Sequence, residues 1–474
     1  MSILQITFAG LGSLLFRFID KDKHKENAIL VANAFFLFLL QPTTSLRSLN
    51  IILPCSTIFI ILAVGIAVSV KIERKEIFQV CLLSIMGFLP FLLSEFVPNL
   101  KTSILDKNIN QSILSILLLV YSCLLVVLYF LRKKEQYLSF FLILILIIFI
   151  VLKQPQISYL ASKGWRDLFQ QNVEFASTLD IRWIGYSYIA FRMIHVIREY
   201  QKQRFNEISL IRFMNFCLFF PTLTAGPIAK YDDFTDQMEK PVNSAQSSLL
   251  EGGERLFSGL FKKFILADSL AVVALSPSHA QQITSSGWMW LALIFYSFQI
   301  FFDFSGYTDI AIGLGLFLGI KLPENFNKPY LKNNLTKFWD SWHMTLSQWI
   351  RAYFFNPVNR ALRKSKFSKS QNFIVFITQV STMAIIGLWH GITWTFLFWG
   401  LWHGIGLFLQ NRWSAFIKNK FNKIRENRIL DQIVNTLSTF LTFLYVSLGW
   451  VWFLSPTVED AFNIFLKLFG KGFK

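Results

Sequence analysis

Apolar stretches long enough, some of them barely, to cross the hydrocarbon core of a bilayer recur along this chain. They lie at about residues 3–18, 28–42, 49–70, 77–97, 112–131, 138–152 and 180–197. In lipid such a stretch must be helical, because a helix satisfies its own backbone polar groups and rises about 1.5 Å per residue. Further runs at about 256–275, 287–302, 308–320, 373–390, 393–410 and 436–454 lead to the expectation of an all-α polytopic membrane protein with about 11–13 transmembrane helices. The composition agrees: 54% hydrophobic residues, 16% charged residues and a mean hydropathy of +0.47 exceed what a water-soluble core needs. The opening MSILQITFAGLGSLLFRFID lacks a basic n-region and a small-residue cleavage site, so it reads as a first helix rather than a removed signal peptide.

A net charge of +18 raises the question of nucleic acid, but the basic residues cluster in short gaps between apolar runs and are not interleaved with aromatic platforms. No nucleic-acid partner is expected. The first gap carries Lys21, Lys23 and Lys25, the third Lys71, Arg74 and Lys75, the fifth Arg132, Lys133 and Lys134, and the gap after the seventh run Arg198, Lys202 and Arg204. The second gap has only Arg47, and the fourth spreads Lys101 and Lys107 over a longer loop. This bias places the N-terminus outside and the odd gaps in the cytoplasm. The basic stretches 360–369 and 412–428 read as further cytoplasmic surface facing anionic membrane lipid, with an acidic carrier protein as the alternative occupant. Cys55, Cys81, Cys123 and Cys217 sit singly in apolar runs, as small buried hydrophobes do, and make neither a disulfide framework nor a zinc set.

Beyond residue 208 the regular pattern breaks. In FFPTLTAGPIAKYDDF, Pro221, Gly226 and Pro227 interrupt any spanning helix, and broken backbone at membrane depth survives only inside protein or along a cavity. Further on, ENFNKPYLKNNLTKFWDSWHMTLSQWIRAYFFNP, Glu324 to Pro357, is too polar to face lipid. Its amide-rich first part suits a compact loop. In its second part Trp339, His343, Leu346 and Ile350 recur at the spacing of one helical face, with Trp342, Trp349 and Tyr353 alongside. The spacing predicts one aromatic, amphipathic helix that carries His343 where the tryptophans point.

Of six histidines, His24 and His279 lie in polar loops, and His195 reads as a packed or interfacial residue. His390 and His403 belong to GLWHGITWTFLFWGLWHG, in which Trp-His-Gly occurs twice. An ionisable side chain in so apolar a setting points to function. On one straight helix, thirteen residues would set the two rings about 20 Å apart and rotated by about 220°, so they would not share a small site. Local sequence does not choose between them. No pair among His343, His390 and His403 has metal-ligand spacing, so no metal is expected.

The run FFDFSGYTDIAIGLGLFLGIKLPENFNKPYL, then FWDSWHMTLSQWIR, then GLWHGITWTFLFWGLWHG, resembles the membrane-bound O-acyltransferase family, in particular its bacterial branch of alginate acetylation and teichoic-acid D-alanylation proteins. FFPTLTAGPIAKYDDF and WVWFLSPTVEDAF are similar to further segments of that branch, so the resemblance covers roughly residues 180–470. It implies N-terminal transmembrane helices over 1–178 and a catalytic core over 179–474, with tilted and re-entrant or interfacial helices around a central tunnel. It implies that His390 is the active-site general base and that His343 either takes part or orients its surroundings. Asn325, Asn327, Asn334, Trp339, Trp342, Ser347, Arg351 and Trp389 are the candidate substrate-binding residues, with loop capping the commoner role for such asparagines. The donor implied is acyl-CoA, acetyl-CoA first, or an acyl-carrier thioester, with no bound cofactor. Partners implied are an acyl carrier protein on the cytoplasmic side and an extracytoplasmic acetyl-transferring protein, at a bacterial inner membrane. With no G-x-S-x-G elbow and no activated cysteine, direct transfer without an acyl-enzyme is expected. The chain departs from the branch at Arg351-Ala352-Tyr353 and at Trp452-Phe453-Leu454, which leaves the acceptor open. A transporter is the rival class, but no internal repeat supports it.

Overall fold

The computed structural model describes residues 2–15, 25–69, 74–96, 119–121, 123–124, 136–205, 208–239 and 246–472. Most of the apolar run at 112–131 lies outside these residues, as do Lys21, Lys23, His24, Lys71, Lys101, Lys107 and Arg132 to Lys134. The described residues are helical, and their one β-feature is an isolated antiparallel bridge between Phe326 and Trp342. Among the described residues four helices, Leu49–Val68, Ser286–Phe317, Gln371–His390 and Arg428–Leu454, are long and apolar enough to cross a membrane. A bent pair makes a fifth if it counts as one span. The runs predicted at 287–302 and 308–320 are one helix, because SGYT between them keeps helical geometry.

The chain divides into two compact units, Met1–Leu256 with Ile310–Leu322, and Phe257–Asp309 with Pro323–Lys474. In the first unit α1 (Ile3–Leu15), α2 (Lys25–Leu40), α3 (Leu49–Val68) and α4 (Arg74–Phe96) are followed by α5 (Gln136–Lys153) and α6 (Pro155–Leu168). Then come α7 (Tyr186–Gln201), α8 (Leu210–Leu218), α9 (Tyr231–Glu239) and α10 (Gln246–Leu260, as far as Leu256). Hydrogen bonds and an ion pair join the loops at the helix ends. Ser45 and Arg47, before α3, bond to Asp180 and Gln171, before α7. At the other helix ends Arg212 pairs with Glu26, and Ser69 donates to the Ile208 carbonyl.

Two arrangements in this unit follow from backbone chemistry. Helix α8 stops ahead of Pro221, and the Phe216 and Cys217 carbonyls it leaves accept from buried Arg192 at 3.2 and 2.9 Å, while the same guanidinium donates to the Thr222 carbonyl beyond the proline at 2.9 Å. Helix α6 turns 92° from α5. It buries a polar stripe, Ser158, Ser162 and Arg166, while Ile157, Leu160 and Leu168 are exposed. Ser162 and Arg166 donate to Asp180 at 2.6 and 2.9 Å, Ser45 does so at 2.9 Å and the Ser177 amide at 3.1 Å. Burial would raise the Asp180 carboxyl, but these bonds outweigh it and hold it below its ordinary range.

The second unit carries α11 (Ser286–Phe317, as far as Asp309), α12 (Leu335–Trp339), α13 (Met344–Ile350), α14 (Asn356–Lys364), α15 (Gln371–His390), α16 (Trp394–Glu426), α17 (Arg428–Leu454) and α18 (Val458–Leu468). Here the structure corrects the single helix predicted over the tryptophan segment. It is α12, a break, α13 and then a π-helical stretch, Arg351–Phe355. Helices α15 and α16 form a close hairpin, since a Cβ at Gly387 would strike the Phe396 carbonyl and one at Gly400 the Met383 carbonyl.

Candidate functional site

The break before α13 is centred on His343, whose φ of 45° is left-handed. A non-glycine residue is held there at a cost, so the surroundings must fix it. They do so through the preceding loop. The Met344 amide donates to the Asn325 carbonyl at 3.0 Å, the Thr345 hydroxyl to Asn325 Oδ1 at 2.6 Å, and the Asn327 amide to the Ser341 carbonyl at 3.0 Å. The Asn334 side chain caps α12 by accepting from the Lys337 amide at 2.8 Å. Thus the side-chain oxygens of Asn325 and Asn334, candidate substrate-binding residues, build the loop, while the buried Asn325 Nδ2 is without a hydrogen-bond partner. Asn327 is exposed and Arg351 pairs with Asp340 on the surface, and neither lines the cavity described next.

That cavity, of about 210 Å³, is lined by His343 and His390 together with Trp339, Trp342, Trp399 and Trp450. Phe304, Phe453, Ile300, Ile386, Leu346 and Ser347 complete its wall. His343 meets Phe304 edge-on at 4.7 Å. Trp389, also expected at the site, packs between the two imidazoles, 6.1 Å from His343 and 4.6 Å from His390. His390 is the last residue of α15, which Gly391 ends in extended backbone. His343 lies outside the spanning helices. Burial among apolar rings lowers its imidazole to about 3, so it is neutral near pH 7 and its buried Nε2 is without a hydrogen-bond partner.

His403 is not part of the lining, yet it is one ring behind it, 5.0 Å from Trp339 and 5.1 Å from Trp399. No straight helix separates it from His390, because α15 ends at His390 and α16 begins at Trp394. The chain turns at Gly391 to Thr393, and the Thr393 hydroxyl accepts from the Phe396 amide at the start of α16. His390 and His403 therefore flank the same Trp399. Gly449 gives His403 its space, since a Cβ there would lie 2.6 Å from Nε2. Sequence reasoning did not single out Phe304, Trp399, Trp450 or Phe453. For Trp399 the signal was present, four residues before His403 and on its helical face. His195 has a structural role, accepting the Tyr231 amide at 3.0 Å. Among the described residues no group of three or more His, Cys, Asp or Glu is placed to hold a metal ion.

Comparison with known proteins places these residues in context. A probable alginate O-acetylase of Pseudomonas aeruginosa is 34% identical over 290 residues, 61% of this chain and 52% of that protein. A peptidoglycan O-acetyltransferase of Helicobacter pylori is 32% identical over 314 residues, 62% of this chain and 56% of its own. A teichoic acid D-alanyltransferase of Streptococcus thermophilus is 31% identical over 284 residues, 58% of this chain and 68% of its own. The chain thus spans about half the length of the alginate relative. Residues 108–454, most of the chain and all of the cavity wall, match the family description "membrane-bound O-acyltransferase", and the chain belongs to that membrane-embedded family.

Proposed function

We propose that this protein moves a small acyl group, acetyl in the first instance, from a cytoplasmic thioester to a hydroxyl of an extracytoplasmic cell-envelope polymer, or to a partner protein that passes it on. Acetyl-CoA or an acyl-carrier thioester is the donor, and the bacterial inner membrane is the setting. The observation that carries this reading is the cavity that His343 and His390 share. Its volume of about 210 Å³ has room for the head of a short acyl thioester. Relatives named for alginate, peptidoglycan and teichoic acid support a polymer hydroxyl as acceptor.

In this reading His390 is the general base. It accepts the hydroxyl proton as the oxygen adds to the thioester carbonyl, and returns it to the departing thiolate when the carbon–sulfur bond breaks. The C-terminal carbonyls of α15, which ends at His390, carry partial negative charge that complements the imidazolium formed in between. Direct transfer is supported by the lining. It contains no cysteine, and the Ser347 hydroxyl donates to the Trp339 carbonyl at 3.2 Å instead of to a base. The apolar wall keeps water from competing with the acceptor.

The test is transfer of radiolabel from acetyl-CoA to envelope polymer in membrane vesicles. His390→Ala should lower the rate about 10²–10⁴-fold. Undiminished transfer at equal expression would remove His390 from the mechanism.

A further inference from the structure

This inference rests on the acyl-transfer reading and names the groups that would receive the charge the reaction creates. Trp339 and Trp399 both line the cavity with His390. They are 8% and 1% exposed, and the Nε1 of each is buried without a hydrogen-bond partner. An indole N–H shut off from water ordinarily has an acceptor. The indole of Trp450, on the same wall, has one in the Tyr330 hydroxyl at 3.3 Å. Trp399 stands edge-on to Trp339 at 5.6 Å and to His390 at 5.5 Å, so two open donors and one base belong to a single ring cluster.

An indole nitrogen donates and cannot accept. The pair therefore cannot hold the proton of an attacking hydroxyl, but it can hold a carbonyl oxygen. We propose that the Nε1–H groups of Trp339 and Trp399 are the oxyanion donors of this site. When the acceptor oxygen bonds to the thioester carbon and its proton passes to His390, the carbonyl electron pair moves onto oxygen, where the two N–H groups bind it. Collapse restores the carbonyl, breaks the carbon–sulfur bond and returns the proton to sulfur. Such donors act most strongly in a water-poor, low-dielectric site, and their fixed orientation leaves little to reorganise during reaction. His403, packed against both rings, holds them in place.

The test uses the full-length protein in the same vesicles and measures kcat and the KM for acetyl-CoA separately. Trp339→Phe and Trp399→Phe should each lower kcat about 10²-fold or more with KM changed less than threefold. Because phenylalanine also alters packing, each indole is replaced in parallel by its 3-benzothienyl analogue through stop-codon suppression, exchanging N–H for sulfur in a ring of nearly the same shape. The same loss of kcat is expected, with an unchanged thermal midpoint. Benzothienyl variants that transfer at the wild-type rate would overturn the oxyanion assignment while leaving acyl transfer intact. Absence of label transfer by the wild type would overturn the acyl-transfer reading itself, and this assignment with it.

Discussion

His343 joins two requirements that rarely meet in one residue. Its ring faces the cavity wall, while its backbone turns left-handed between two short helices. Asparagine tolerates that backbone and alanine does not, so His343→Asn should be more stable than His343→Ala by about 1 kcal/mol, read as the difference in thermal midpoint in detergent. If the ring takes part in transfer, both variants lose activity alike despite that difference. If it serves only to set the turn, activity follows stability, and the asparagine variant retains more. At this scale the sequence was partly legible. His390 and His343 announce themselves as ionisable groups in apolar company, and the structure gives them one cavity. The amides are harder to read, because an asparagine suited to a carbonyl ligand is equally suited to a backbone, and the side-chain oxygens of Asn325 and Asn334 accept from Thr345 and Lys337.

The hairpin of α15 and α16 decides how near His390 comes to Trp399, and glycines set its spacing. Gly400 lies where any Cβ would meet the Met383 carbonyl. Gly400→Val should force the pair apart, cost about 1–3 kcal/mol and reduce transfer, whereas a substitution at Gly253, where a Cβ meets nothing within 4 Å, should not. Thermal unfolding and the label assay read both effects. Helices with strong apolar runs, such as α3 and α17, are visible in the sequence because lipid and core ask for the same residues. The turn at Gly391 to Thr393 and the break at His343 are less visible. Periodicity persists across each of them, and what interrupts the helix is a hydrogen bond from elsewhere, Met344 to Asn325, or a local cap at Thr393.

For the molecule as a whole, acid is the natural probe. The Asp180 carboxyl is held below its ordinary value in the fold, so its contribution to stability is complete above about pH 4, the unfolded value, and is lost as pH falls through the folded one. His343 is lowered to about 3, so the unfolded chain binds its proton first, and stability declines from about pH 6.5 downward. Thermal midpoints should therefore fall in two stages on acidification. Asp180→Asn should shrink the lower stage and His343→Asn the upper.

The same Asp180 knot has a consequence for depth. Because α6 gives its polar stripe to the knot, it is left with an oily edge of Ile157, Leu160 and Leu168 and a wet edge of Gln156, Lys163 and Asp167. Lying at 92° to α5, a helix with these two edges is suited to the waterline of a bilayer. If α5 slid inward, Lys163 and Asp167 would be drawn into hydrocarbon, and if it slid outward, the leucines would meet water. The pair thus behaves as a keel and float, setting the draught at which the first unit rides in the membrane.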